Sequence, residues 1–137
     1  MNMQSQTTPA RRAFTLLEMT IVIMVLIALI STGLFVSGKM DEWKLGREAS
    51  ETLRRVYSAQ RMFLADNPTK VVSTIVAADI IPYLPPGNAT ALPTVKSLTG
   101  AQLGILVNVS PPVINAGSGV PYDPSGDIRD HLWDVGE

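Results

Sequence analysis

The chain has 137 residues, 46% of them hydrophobic and 17% charged, with a formal net charge of −1 and no cysteine. That size suits one small domain plus one membrane segment, not two globular domains. The near-neutral charge gives no reason to invoke nucleic acid, and the absence of cysteine excludes a disulfide framework or a thiolate metal site. His131 is the only histidine, so no nucleophile, base and orienting group can be assembled, and the chain does not read as an enzyme.

Residues 1–13 are polar and carry Arg11 and Arg12 without an acid. They read as a leader peptide. Residues 14–38 are apolar, with Glu18 as the only charge. A helix of that length, at ~1.5 Å per residue, crosses the ~30 Å hydrocarbon layer with some to spare. Arg11 and Arg12 are predicted to hold the N-terminus on the cytoplasmic side, with the remainder outside. Glu18 is the anomaly, since a carboxylate inside such a span is unfavourable by about 2.5–3.5 kcal/mol. No other charge lies in the segment to pair with it. Snorkelling to the interface is the alternative, for which glutamate has a short stem.

Residues 39–67 continue the helical pattern beyond the membrane. Trp43, Ala49, Leu53, Val56, Tyr57, Gln60, Phe63 and Leu64 recur at mostly three- and four-residue steps, a narrow apolar stripe on a charged helix. Glu51 is placed to pair with Arg55 one turn on. Pro68 supplies the stop, because the residue before a proline is pushed out of helical geometry. One continuous helix is therefore expected from about residue 14 to about residue 66, with Gly33, Gly38 and Gly46 as soft points.

Residues 68–137 form a small head. From Thr69 onward there are eight prolines and seven glycines, so its elements must be short. The stretch 73–84 reads as a short helix capped by Ser73 or Thr74 and interrupted at Pro82. The best strand is 103–109 (LGILVNV), ended by Pro111 and Pro112, with further strands over 113–114 and 128–133. A domain of ~70 residues without disulfides is marginal alone and is expected to rest on the apolar stripe. The fold class is α+β: one long N-terminal helix, half transmembrane and half amphipathic, packed on a head with a short helix and a few short antiparallel strands.

Arg-Arg-Ala followed by Phe-Thr-Leu-Leu-Glu and an apolar run, residues 11–30, resembles the N-terminal signal of type IV prepilins and type II secretion pseudopilins. The resemblance implies that a prepilin peptidase cuts between Ala13 and Phe14 and N-methylates the new amine of Phe14. It also implies a type IV pilin-like fold and a structural role. The subunit is then held first in the bacterial inner membrane, single-pass, and later in a periplasmic or extracellular filament. Its partners would be other pilin or pseudopilin subunits, the peptidase, an inner-membrane assembly platform and the lipid bilayer. Glu18 would pair with the Phe14 amine of a neighbouring subunit, with the Thr15 hydroxyl nearby. Two positions depart from the family pattern. Ala13 stands where glycine is usual before the cut, and Phe35 lies roughly where many filament-forming members have a proline, which favours a minor subunit. The competing reading is a single-pass anchored binding module that does not polymerise.

The acidic tail closes the chain. From residue 123 there are five acids against Arg129 alone, whereas residues 39–70 carry seven basic and five acidic residues. Such an asymmetry suits contacts between neighbours, and equally suits two solvated surfaces. Asp123, Ser125, Asp127 and Asp130 offer hard oxygen ligands in a Pro- and Gly-rich turn, candidate ligands for a calcium ion like the one major secretion pseudopilins hold near the C-terminus. The EF-hand spacing is absent, and Asp-Pro-Ser-Gly reads as well as a plain turn. No other cofactor is indicated. His131 reads as a surface histidine and Trp133 as packed against the head.

Overall fold

The computed structural model describes residues 15–87 and 89–136. They fall into two compact units that meet in sequence between Gly38 and Lys39. Helix α1, Leu16–Asp66, contributes to both. It ends as the sequence predicts, just before Pro68, where the Asn67 N–H and side-chain amide both donate to the Phe63 carbonyl (2.9 and 3.0 Å). A 3-10 turn at Val72–Thr74 follows, then α2 (Ala77–Ile80), a 3-10 turn at Ile81–Tyr83, and four two-residue strands. These are β1 (Val95–Lys96), β2 (Gln102–Leu103), β3 (Ile105–Leu106) and β4 (Val113–Ile114). β1 pairs antiparallel with β2 and β3 with β4.

The core of the second unit is built on α1. Ala49, Leu53, Val56, Ala59 and Phe63 are buried against Ile75, Ile80, Leu84, Val95, Ile105, Val107, Ile114, Trp133 and Val135. The predicted stripe therefore holds, with one correction at its start: Trp43 is 50% exposed. Gln60 is buried as expected, Gly46 and Ser50 are buried as well, and each has a reason. Gly46 admits the Trp133 indole, and the Trp133 backbone N–H donates to the Gly46 carbonyl (3.2 Å). A Cβ on Gly46 would lie 2.8 Å from Trp133 Nε1 and 3.1 Å from Leu132 Cβ. Gly46 is thus a packing site, where the sequence suggested only a soft point. Ser50 donates its hydroxyl to the His131 carbonyl (2.7 Å). The Gln60 amide donates to the carbonyls of Val107 and Val109 (2.8 and 2.7 Å).

That last contact explains why the predicted strand over 103–109 breaks. Leu103 pairs with Val95 while Ile105 pairs with Ile114, so the strand changes partners at Gly104. Beyond Leu106 the carbonyls at 107 and 109 go to Gln60 on α1 and not to a neighbouring strand. β4 forms where predicted. The stretch 128–133 is not a strand, because His131 and Trp133 have positive φ (56° and 63°), which an extended chain does not allow. The helix expected over 73–84 shrinks to α2 between two 3-10 turns, and neither Ser73 nor Thr74 caps it. Val76 stands at the N-cap, and its N–H donates to Asp79 Oδ2 (3.1 Å). Pro82 does interrupt the helix, in the second turn. Glu51 pairs backward with Arg47 (3.9 Å) and not with Arg55.

Gly46→Ala is a direct test of this packing. Alanine gains about 1 kcal/mol in intrinsic helix preference over glycine, yet here its methyl meets a buried indole. The substitution is expected to lower the melting temperature of the detergent-solubilised chain, followed by near-ultraviolet circular dichroism of tryptophan. A higher melting temperature would mean that Trp133 is not seated on α1.

Candidate functional site

The first unit presents an uncovered apolar helix. Every residue from 15 to 44 is exposed, and fifteen large apolar side chains between Leu16 and Val36 are at least 44% exposed. Burying one such side chain is worth about 1.5–3 kcal/mol, so leaving all of them in water costs on the order of tens of kcal/mol. A small domain is stable by only about 5–15 kcal/mol. The helix is long and apolar enough to cross a membrane, and three of its hydroxyls are satisfied within the helix, as an apolar solvent favours. Thr20 donates to the Leu17 carbonyl (2.8 Å), Ser31 to Ile27 (2.8 Å) and Thr32 to Ala28 (2.9 Å).

Glu18 is different. Its backbone N–H donates to Thr15 Oγ1 (3.2 Å), which makes Thr15 the N-cap of α1 and places Glu18 in the first turn, where the helix dipole favours an anion. The Thr-x-x-Glu spacing is a capping signal that the sequence displays and that the motif reading passed over. Among the described residues, the Glu18 carboxylate itself has no hydrogen-bond or ion-pair partner. Arg11, Arg12, Ala13 and Phe14 lie outside the described residues.

The acidic tail is organised by its own backbone. Asp123 Oδ1 accepts from Ser125 N (3.1 Å), Ser125 Oγ (2.6 Å) and Gly126 N (3.2 Å). Asp127 Oδ1 accepts from Arg129 N (3.0 Å) and Asp130 Oδ1 from Leu132 N (2.8 Å). These local turns satisfy donors that a strand would have paired across a ladder. Among the described residues no three Asp, Glu or His side chains are gathered as a metal set, and Asp123, Ser125, Asp127 and Asp130 each face chiefly their own turn. His131 is exposed. Trp133 is buried, edge-on to Tyr122 with ring centroids 5.3 Å apart.

Asp134, which nothing in the sequence singles out, has both carboxylate oxygens screened from water and without a hydrogen bond. Burial raises its pKa above the ordinary 3.8, and repulsion from Asp123 and Asp130 adds to the rise. The backbone at Gly136 and the charge of His131 offset it in part. No family model, curated protein or solved structure matches the chain.

The raised pKa fixes a sign. The folded chain binds a proton at Asp134 more tightly than the unfolded chain, so this contribution to stability is present below the ordinary value and is lost as pH rises through the raised one. Asp134→Asn is expected to melt above the parent at pH 7, with the gap closing as pH falls to about 3.8. A gap that is constant or reversed over that range would contradict the burial of this carboxylate.

Proposed function

We propose that this chain is a structural, non-catalytic subunit of a type IV pilus-like or type II secretion filament. It is first anchored in the inner membrane by residues 14–38 with Arg11 and Arg12 on the cytoplasmic side. Cleavage after Ala13 frees the amine of Phe14, which is then N-methylated and keeps its positive charge. The observation that carries the reading is one carboxylate, Glu18, without a partner among the described residues, in the first turn of an uncovered apolar helix. An anchor needs only the apolar run. A carboxylate retained there, at a cost of about 2.5–3.5 kcal/mol in lipid, is accounted for by a cation that arrives with another copy. The terminal amine of the neighbour is such a cation, and the apolar faces of adjacent helices supply the rest of the cover.

Glu18→Gln separates this role from simple capping. Glutamine keeps the size and hydrogen-bonding capacity of Glu18 and deletes its charge, so membrane insertion and cleavage after Ala13 should proceed. A neighbouring amine left in an apolar core without its counter-charge costs roughly 3–5 kcal/mol, more than a hundredfold against each addition. With parent and variant expressed together, the variant is expected to be strongly depleted in purified filaments relative to membranes. Equal ratios in the two fractions would leave Glu18 with no part in assembly.

A further inference from the structure

Arg54, Arg55, Met62, Pro82, Leu84 and Pro85 line a groove of about 490 Å³ in the second unit. Its floor is apolar and its rim carries two guanidinium groups. Among the described residues no carboxylate pairs with Arg54, Arg55 or the nearby Arg61; ion pairs elsewhere use Lys39, Lys44, Arg47, Lys70 and Arg129. Arg54 Nε donates to the Val135 carbonyl (2.9 Å), and Arg61 lies over the Tyr57 ring (5.7 Å). Arg54, Arg55 and Arg61 are all exposed and give this stretch of α1 three positive charges.

The same unit carries a loop of the opposite character. At 123–130, Ile128 is 71% exposed, an apolar tip set between Asp127 and Asp130 with Asp123 behind. One oxygen of each aspartate is held by the local turns, and Arg129 turns toward Asp127 (3.5 Å), so the loop remains net negative. Pro124 and Ser125 lie beside Trp43, eleven residues before Arg54 in the sequence. None of residues 123–130 lines the groove, so the loop does not fill the groove of its own chain.

We propose that the groove receives the Ile128 loop of a second copy of this chain. Ile128 enters over Met62, Pro82, Leu84 and Pro85, and the flanking aspartates meet Arg54 and Arg55. The two surfaces differ, so the contact is head-to-tail and extends from copy to copy instead of closing a dimer. The inference rests on the filament reading, which it deepens by naming a contact between heads.

The chain has no cysteine, which makes single-cysteine cross-linking clean. Full-length Ser58→Cys (a residue of the groove wall) and Arg129→Cys chains, differently tagged, are expressed together and treated in membranes with a bismaleimide. A mixed-tag adduct is expected at about tenfold the yield of a Ser58→Cys pair with itself. Arg55→Glu in the groove chain places like charges face to face and should lower that yield about fivefold or more. No adduct above the control, or an adduct indifferent to Arg55→Glu, overturns the contact. Sheared filaments from the same cells are probed for the chain in parallel. Filaments that contain the chain without the adduct refute the groove contact alone, whereas an adduct in membranes without filaments upholds it and refutes the polymer.

Discussion

Fifteen large apolar side chains stand uncovered on α1 between Leu16 and Val36. The cost of leaving them in water exceeds the stability of a small domain several times over. The first part of α1 therefore requires an apolar surrounding that the described residues do not provide. Lipid supplies one such surrounding and the helices of other copies supply another. The backbone and the hydroxyls of Thr20, Ser31 and Thr32 are equipped for either, since all bond within the helix. Glu18 bears on the choice, because lipid brings no cation to it, whereas the neighbouring N-terminus of the proposed filament would.

From Lys39 onward the same helix faces a different problem. The head is small, proline-rich and free of disulfides, so its strands of two residues cannot hold themselves together. α1 supplies the missing order in two ways. Leu53, Val56 and Phe63 give it a hydrophobic floor. Ser50, Arg54 and Gln60 then bind carbonyls of His131, Val135, Val107 and Val109, fixing loops that have no sheet to join. Gly46 completes the seat for Trp133.

The features legible in the sequence are those set by local chemistry or by long periodicity. The apolar run, the stop at Pro68, the break at Pro82 and the short strand at Val113–Ile114 are of this kind. The features that escaped depend on partners distant in sequence. The run 103–109 has strand composition throughout, yet Gln60, more than forty residues away, takes two of its carbonyls. Ile128 to Trp133 looks extended until the aspartate side chains are seen to bind their own backbone. Trp43 fits the periodicity of the stripe but lies at its edge, while Gly46 is buried because the Trp133 indole needs the space a side chain would occupy. Asp134 gives no signal at all, since its burial follows from the fold of the C-terminal turns. At the N-terminus the Thr-x-x-Glu capping spacing was legible, and it coexists with the assembly role proposed for the same glutamate.

The central claim is that the uncovered part of α1 is covered by other copies of this chain or its relatives in a filament. Cryo-electron microscopy of sheared surface material, with this chain identified by mass spectrometry, tests it most directly. The account predicts a helical filament in which the apolar residues between Leu16 and Val36 form the shared core, and in which each Glu18 carboxylate lies within ion-pair distance of the N-terminal amine of an adjacent subunit. A chain found only as isolated subunits in membranes, or a filament in which Glu18 faces no cation, would contradict it.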